Sequence, residues 1–232
     1  MRPMYSANNI DFSSIKLIIF DLDGTIVPLH KRFYAVWRDT LAQFNLPKLS
    51  WEDFLYNIEI DTLMNFIDPS LRQQFMKSFL SEYSKYRSPD ETLIPGAKKV
   101  LVQLKKMGFL LALATGRISS ITELDNEMKS HKLDGLFDII TSQKTEDVNF
   151  GTLVSKENQI RYILTELGVV PSQACMVGDY ITDIRSGKLM GLKTIALLSS
   201  VSEEVLRKEK PDVILESIAD LQVIFGVKPS EF

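Results

Sequence analysis

The sequence predicts an α/β protein with a doubly wound parallel sheet, a Rossmann-like core, and an inserted α-helical cap. Two observations predict the core: short apolar runs recur along the chain, and segments with helical periodicity separate most of them. A third observation predicts the cap: one long segment carries helical patterns and no clear strand pattern. A chain of 232 residues is long enough for a core domain that carries a smaller insert.

Six apolar runs predict the strands of the core. Between them, the helical face that starts at Ala97 ends at Gly108, and the face from Ile160 to Leu167 ends at Gly168, as expected of helices closed by glycine. The predicted strands are Leu17–Phe20, Phe109–Ala114, Phe137–Thr141, Ala174–Val177, Lys193–Leu198 and Val213–Leu215.

The segment from residue 28 to residue 92 interrupts this alternation with three helical patterns. Ser50 can cap the second helix, and Asp68-Pro69 can open the third. The alternative is one long crossover layer on the sheet, but about 65 residues far exceed the dozen or so that a crossover requires. We therefore predict that residues 1–27 and 93–232 form the core and that residues 28–92 form the cap. The face of the first cap helix carries Leu29, Phe33, Trp37, Leu41 and Phe44, and that of the third carries Leu71, Phe75, Phe79, Tyr83 and Tyr86.

Composition excludes several classes of protein. The net charge of −3 and scattered basic residues argue against a nucleic-acid partner, and the single cysteine, Cys175, excludes an intramolecular disulfide framework. We find no secretory signal and no apolar run close to the ~18 residues that span a membrane. These observations predict a soluble, cytoplasmic protein without a membrane partner.

Asp21-Leu22-Asp23-Gly24-Thr25 follows the first predicted strand. Side chains two residues apart on a strand point the same way, so both carboxyl groups can overhang the carboxyl edge of the sheet, and Gly24 permits a tight turn beside them. Such a pair suits phosphoryl transfer, in which one Asp attacks phosphorus and the other handles the proton of the leaving oxygen. The alternative is a solvated turn, because Asp, Gly and Thr are ordinary turn residues.

Thr115-Gly116-Arg117 follows the second predicted strand. The Thr115 hydroxyl and the Gly116 N–H can hold phosphate oxygens near the start of a helix, although the same residues are common in strand-to-helix turns. Arg117 can reach an anionic end of a substrate or can pair on the surface.

Asp179 and Asp183 follow the fourth predicted strand. Four residues apart, they share one face if a helix begins there, and carboxylates suit magnesium. The alternative is that Asp179 caps the helix while Asp183 is solvated. Lys156 lies at the start of the preceding helix, where a cation opposes the helix dipole and so indicates an anionic partner. Most such lysines are solvated, and Lys144 competes for the same role.

These four elements, in this order and each near a strand end, resemble the haloacid dehalogenase-like hydrolase superfamily from Ile15 to about Leu198. The resemblance implies an aspartyl-phosphate mechanism that requires magnesium. It implies the nucleophile at Asp21, the general acid and base at Asp23, phosphate orientation by Thr115, charge stabilisation by Lys156, and a metal site at Asp179 and Asp183 with Asp21 and the Asp23 carbonyl. Beside them, Gly24, Thr25, Gly116 and Arg117 are the candidate substrate-binding residues.

The helical insert is similar to that of the phosphoglycolate phosphatase and β-phosphoglucomutase-like branch. The chain departs from that pattern at Glu157, where many relatives have proline, at the apolar cap entry Val27-Pro28-Leu29, and at Phe33, where a phosphoglucomutase has histidine. We predict a magnesium-dependent phosphatase that acts on a small phosphomonoester. The alternatives are a phosphomutase, a receiver-like domain that is stably phosphorylated on Asp, and a non-catalytic binding protein. The sequence leaves the substrate and the oligomeric state open.

Overall fold

The computed structural model describes residues 11–86, 92–143 and 155–226. These segments form a parallel six-stranded sheet with the order β3-β2-β1-β4-β5-β6, which confirms the predicted fold class. Each predicted apolar run contains one strand, and the central strands are buried along their whole length because helices cover both faces. The strands are β1 (Leu17–Phe20), β2 (Leu110–Ala114), β3 (Ile139–Thr141), β4 (Ala174–Gly178), β5 (Lys193–Leu197) and β6 (Val213–Leu215).

The strand order reverses direction at β1. From β1 the chain continues to β2 and β3 on one side, and then crosses to β4, β5 and β6 on the other. Leu17 is in register with Leu110 of β2 and with Ala174 of β4, so the carboxyl ends of these three strands lie close together. Open α/β sheets bind their ligands at such a reversal point.

Helices connect the strands and cover the sheet. Gly168 ends one of them in a left-handed conformation, as the sequence predicts. The helices of the described segments are α1 (His30–Gln43), α2 (Trp51–Glu59), α3 (Arg72–Lys85), α4 (Ala97–Lys106), α5 (Ile121–Ser130), α6 (Glu157–Leu167), α7 (Ile181–Leu189), α8 (Glu203–Lys208) and α9 (Leu221–Phe225).

The predicted cap segment, residues 28–92, contains α1, α2 and α3 around an apolar cluster of its own. Trp37 is 1% exposed and makes an edge contact with Phe75 at 4.8 Å between ring centroids. Ser50 caps α2 as predicted, because its Oγ accepts a hydrogen bond from the Asp53 N–H at 3.0 Å. The predicted start of α3 is wrong: the helix begins at Arg72, because the Asp68 carboxylate accepts from the Ser70 N–H at 2.8 Å and forms a turn there.

The core and the cap segment differ in the elements that build them. The core cluster joins sheet residues to α4 and α5, and Cys175 is buried in it as a small core side chain.

Within the described ranges, no helix is both long enough and apolar enough to cross a bilayer.

Candidate active site

Asp21 and Asp23 lie directly after β1, at the reversal point of the sheet. The Asp21 N–H donates to the Val177 carbonyl of β4 at 2.9 Å, which continues the strand pairing to the site. Gly24 has φ +85°, and a Cβ there would overlap the Asp179 side chain and Ser200. Only glycine combines this backbone conformation with so close an approach.

Three buried carboxylates, Asp21, Asp179 and Asp183, converge at this point and form what we call the carboxylate cluster. Each offers an oxygen, and these oxygens lie within 4.8 Å of one another. Asp179 accepts from the Thr25 hydroxyl at 2.7 Å and from the Ser200 hydroxyl. Asp179 is therefore held in the site instead of capping a helix.

Asp183 is buried in the first turn of α7. One carboxylate oxygen, Oδ2, accepts from the Tyr180 N–H at 3.1 Å, and Tyr180 is the residue that precedes the helix. The other oxygen, Oδ1, accepts from Lys156. The alternative of a solvated Asp183 is therefore wrong.

Lys156 bridges two members of the carboxylate cluster. Its Nζ donates to Asp183 Oδ1 at 2.6 Å and to Asp21 Oδ1, and its backbone N–H donates to Ser186 Oγ at 3.0 Å. Burial would lower the pKa of Lys156, but Asp183 and Asp21 outweigh burial and raise it. Lys156 thus has the anionic partners that its position indicates, and its competitor Lys144 lies outside the described residues.

Burial and charge repulsion favour the protonated forms of Asp21 and Asp179 in the carboxylate cluster. Burial raises the pKa of Asp21 to about 7, and repulsion from Asp183 and Asp23 adds to this effect against the attraction of Lys156. Burial and the Asp21 charge likewise raise the pKa of Asp179 well above its ordinary value. Three acids and one lysine leave excess negative charge, and a hard divalent cation with oxygen ligands fits such a donor set.

Asp23 has a different environment, because Arg117 binds it with two hydrogen bonds. Nε and Nη2 of Arg117 each donate to one Asp23 oxygen at 2.6 Å. Nη1 of Arg117 donates to the two Glu127 oxygens at 2.8 and 2.7 Å. Burial would raise the pKa of Asp23, but Arg117 outweighs it and holds that pKa below its ordinary value.

Arg117 is 1% exposed, so the interpretation as a surface ion pair is wrong. Arg117 lines the cavity, and its contact with a substrate anion stays a prediction. The Arg117 guanidinium binds two carboxylates, Asp23 after β1 and Glu127 on α5, and so links these two parts of the core.

The cap segment reaches this ion network through α1 and α3. Nη2 of Arg32 donates to the Tyr83 carbonyl at 2.8 Å, and Nη1 of Arg32 lies 3.9 Å from Glu127. Ser84 Oγ accepts from the Ile118 N–H, next to Arg117, at 2.8 Å. The cap segment therefore contacts the loop that carries Arg117 through α3, and it reaches Glu127 of α5 through α1.

Thr115 is fully buried at the end of β2. Its Oγ1 accepts from the Arg117 N–H at 3.2 Å, and its carbonyl accepts from Gln159 of α6 at 2.9 Å. Gly116 and Arg117 line the cavity of the site, whereas Gly24, Thr25 and Thr115 lie behind its surface. Thr25 contacts the site indirectly, through Asp179.

A cavity of about 430 Å³ lies between the carboxylate cluster and the cap segment. Asp21, Asp23 and Lys156 lie at its core side, and residues of α1, α2 and α3 line the opposite side. A phosphate next to Asp21 would therefore be covered by the cap segment.

Sequence reasoning missed several polar residues of the site. Glu127 sits on α5 among ordinary helix residues, and Ser200 follows β5 without a motif of its own. Tyr83 reads as part of an apolar face, although its hydroxyl is buried beside Asp23. Their partners are distant in sequence, so no local signal could have identified them.

Comparison with known proteins agrees with this geometry. A family model described as haloacid dehalogenase-like hydrolase matches residues 18–197. A relative from Bacillus pumilus named pyrophosphatase PpaX is 29% identical over 220 residues, which cover 92% of this chain and 98% of the relative.

Solved structures with similar folds cover nearly the whole chain. One from Haemophilus somnus, described as a predicted phosphoglycolate phosphatase, has a TM-score of 0.71 at 23% identity and covers 93% of this chain and 100% of its own. A haloacid dehalogenase-like hydrolase from Streptococcus pneumoniae has a TM-score of 0.74 at 19% identity, with 91% and 99% covered. These structures support the fold of the core together with its helical insert.

Proposed function

This chain belongs to the haloacid dehalogenase-like hydrolase family, and from that membership we propose that it is a magnesium-dependent phosphatase of small phosphomonoesters. The observation that carries the proposal is the carboxylate cluster with Lys156, buried under a cavity and next to Asp23. A structural ion pair would need one acid for one lysine, whereas this site holds three acids and one lysine, and the lysine pairs with two of the acids.

The proposed reaction proceeds in two displacements at phosphorus. Asp21 attacks the phosphorus, the bond to the leaving oxygen breaks, and Asp23 gives that oxygen a proton. Asp23 then removes a proton from a water molecule, which attacks the phosphorus of the aspartyl phosphate. This second displacement releases inorganic phosphate and restores the Asp21 carboxylate.

The residues around Asp21 position the phosphate and offset its charge. Lys156 stabilises negative charge on the phosphoryl oxygens. The Gly116 N–H can donate to a phosphate oxygen, and Thr115, which is buried behind the cavity surface, orients the phosphate indirectly by accepting from the Arg117 N–H and fixing this loop. In this scheme Gly24 and Thr25 contribute by placing Asp179.

Magnesium suits the carboxylate cluster because the three acids leave excess negative charge and repel one another. Held by Asp21, Asp179 and Asp183, Mg²⁺ would offset the charge of the carboxylates and of the phosphate, and would favour the ionised form of Asp21. The raised pKa of Asp21, about 7, supports a need for such a cation at neutral pH.

We also propose that residues 28–92 act as a cap that restricts the substrate to a small molecule. The cavity lies under α1, α2 and α3, so a phosphorylated side chain of a folded protein would meet these helices before it met Asp21. Phe33 supports release of phosphate to water instead of transfer to a second sugar, because it stands where a phosphoglucomutase has histidine and a phenyl ring cannot take a proton from a sugar hydroxyl. Its ring packs among the aromatic residues of the cap segment, 4.7 Å from the ring of Phe79.

The proposed function is tested by phosphate release from p-nitrophenyl phosphate with Mg²⁺ and with EDTA. We expect turnover that EDTA abolishes and added Mg²⁺ restores. Asp21→Asn should remove turnover, because an amide of nearly the same shape is a far poorer nucleophile, and the exposed control Asp134→Asn should retain it. Full activity in Asp21→Asn would refute the mechanism, and stable phosphorylation without turnover would favour a receiver-like domain.

A further inference from the structure

The side of the cavity that faces the carboxylate cluster is predominantly apolar. Among the described residues, twelve lining residues come from the cap segment, and nine of them have apolar side chains. We call this surface the apolar wall; it includes Phe33, Trp37, Met64, Met76 and Phe79. The positively charged residue of the apolar wall is Arg72, whose Nε donates to the Ile67 carbonyl at 3.1 Å.

The apolar wall also contains a buried hydrogen-bond donor without a partner. Trp37 is 1% exposed, and its Nε1 has no hydrogen-bond partner in the described part of the chain. A buried donor without a partner costs stability. Because this nitrogen is itself buried, it presents no surface to the cavity, and Trp37 contributes to the wall as part of its apolar packing.

Tyr83 is one of three polar residues of this wall, with Asp61 and Arg72. Its hydroxyl is buried beside Asp23 and interacts with that carboxylate, so it belongs to the ion network of the site. The rest of the wall is apolar, which is typical of a site for a small organic molecule.

We propose that the substrate is a phosphomonoester whose leaving alcohol has an apolar or aromatic carbon skeleton, which packs against the apolar wall. This inference rests on the proposed phosphatase function, because it assigns the phosphate to the Asp21 end of the cavity. The volume of about 430 Å³ is in the range of sites for organic ligands, roughly 300–1,000 Å³. Burial of carbon against this wall stabilises the complex.

The same wall argues against inorganic pyrophosphate, although relatives carry the name pyrophosphatase. The leaving group of pyrophosphate is a second phosphate, whose charge would have to leave water for an apolar surface. Lys156 lies at the Asp21 end, where it would serve the phosphate that reacts, and Arg117 pairs with Asp23 and Glu127. This leaves Arg72 as the cation of the described wall for a second phosphate. We therefore expect pyrophosphate to be a poor substrate.

The test compares primary alkyl phosphates of increasing length: ethyl, butyl, hexyl and 2-phenylethyl phosphate, with pyrophosphate beside them. Primary alcohols differ little as leaving groups, so differences in kcat/KM report contacts of the carbon skeleton. We expect kcat/KM to rise up to about fourfold for each added methylene until the cavity is filled. A flat or falling series, or a higher kcat/KM for pyrophosphate than for hexyl phosphate, would overturn the inference.

A matched pair of variants locates the contact. Met76→Lys places a charge on the apolar wall and should remove the dependence of kcat/KM on chain length. Met107→Lys, at an exposed position that follows α4, makes the same change outside the cavity and should leave that dependence intact. If Met76→Lys fails to fold, the neutral change Met64→Gln provides the same measurement; an unaltered chain-length dependence in the folded variant would refute the assignment of the wall.

Failure of this inference differs from failure of the proposed function. Turnover of p-nitrophenyl phosphate with a flat alkyl series would leave the phosphatase proposal intact and remove the apolar specificity. Absence of phosphate release from every substrate with Mg²⁺ would refute the proposed function, and the inference would fall with it.

Discussion

At the scale of single residues, the site holds two carboxylates with opposite tendencies to bind a proton. Burial raises the pKa of Asp21 to about 7, whereas the two hydrogen bonds from Arg117 hold the pKa of Asp23 below its ordinary value. The proposed reaction needs Asp21 ionised and Asp23 protonated at the moment the leaving oxygen departs. The entry of the cation and the phosphate must therefore change both environments.

Asp23→Asn tests the role of Asp23 as a proton donor. For an alkyl phosphate we expect kcat to fall about 10²–10⁴-fold, because the leaving alkoxide then departs without a proton. For p-nitrophenyl phosphate the loss should be much smaller, because that leaving group needs no proton. Steady-state kinetics on both substrates measure the contrast, with Asp134→Asn as the control. Equal losses on the two substrates would argue against proton donation by Asp23.

Glu127→Gln tests the buried ion network behind Asp23. Glu127 lies between Arg117 and Arg32, and its side chain is 6% exposed. Loss of its charge removes one of the two carboxylates that pair with the buried Arg117 guanidinium, so we expect the free energy of unfolding to fall by about 3–5 kcal/mol. Urea denaturation measures it, and Glu166→Gln on the exposed face of α6 should stay within about 0.5 kcal/mol of the parent protein. A similarly small change in Glu127→Gln would mean that the network contributes little.

At the scale of secondary-structure elements, strand ends and helix starts place the groups that we propose to react. β1 delivers Asp21, β2 delivers Thr115, and the join of β4 to α7 delivers Asp179 and Asp183. Glycine permits the close approaches at these joins. A Cβ on Gly178, the last residue of β4, would overlap the Asp183 side chain.

Gly178→Ala should therefore disturb the carboxylate cluster. We expect the affinity for Mg²⁺, measured by isothermal titration calorimetry, to fall about 10- to 100-fold, as it does when groups that orient metal ligands are altered. Gly187→Ala on α7 is the matched control. A Cβ there would meet Thr194 and Met176 side-chain atoms at 2.8 and 3.0 Å, away from the acids, so stability should fall while the Mg²⁺ affinity is retained. Unchanged Mg²⁺ binding in Gly178→Ala would contradict this account.

At the scale of the whole molecule, the cap segment and the core enclose the site between them. Besides the contacts of Arg32 and Ser84, the Ser202 N–H donates to the Glu59 carbonyl at 2.9 Å, and the Tyr180 hydroxyl donates to Asp61. These contacts hold α2 and the residues after it against the loops that follow β4 and β5. The boundary of the cap at residues 28 and 92 remains a prediction.

The buried acids make the stability of the whole molecule depend on pH and on cations. The pKa of Asp21 is raised from 3.8 to about 7 in the folded protein, so the folded state binds more protons than the unfolded state between these values. Stability contributed by this group is therefore lost as the pH rises through that window. The raised pKa of Asp179 acts in the same direction.

We expect the Tm of the protein in EDTA to fall as the pH rises from about 5 to about 8, and Mg²⁺ to raise Tm more at the higher pH. Asp179→Asn removes one of the repelling charges and should weaken the dependence of Tm on pH. Differential scanning calorimetry of both proteins, with and without Mg²⁺, makes the comparison. A Tm in EDTA that rises over this range would show that other groups outweigh the carboxylate cluster.

The sequence by itself determined the elements and the chemical types at their ends. Apolar runs with glycine-terminated helices between them predict all six strands, because burial on both faces demands continuous apolar residues. Asp21, Asp23, Asp179 and Lys156 could be named as candidate site residues because ligand sites of α/β folds lie at strand ends and helix starts, which are positions that local patterns locate.

Only the tertiary structure decided which of these groups pair and what surface faces them. Arg117 and Asp23 are 94 positions apart, and the spacing of neither residue specifies the other as a partner. Trp37 and Phe79 read as interior residues of a helical cap, and only the packing of α1 against α3 above the core turns part of that apolar surface toward the site. Periodicity reports that a side chain is apolar and on one face, whereas the partner of that face is set by how distant elements pack.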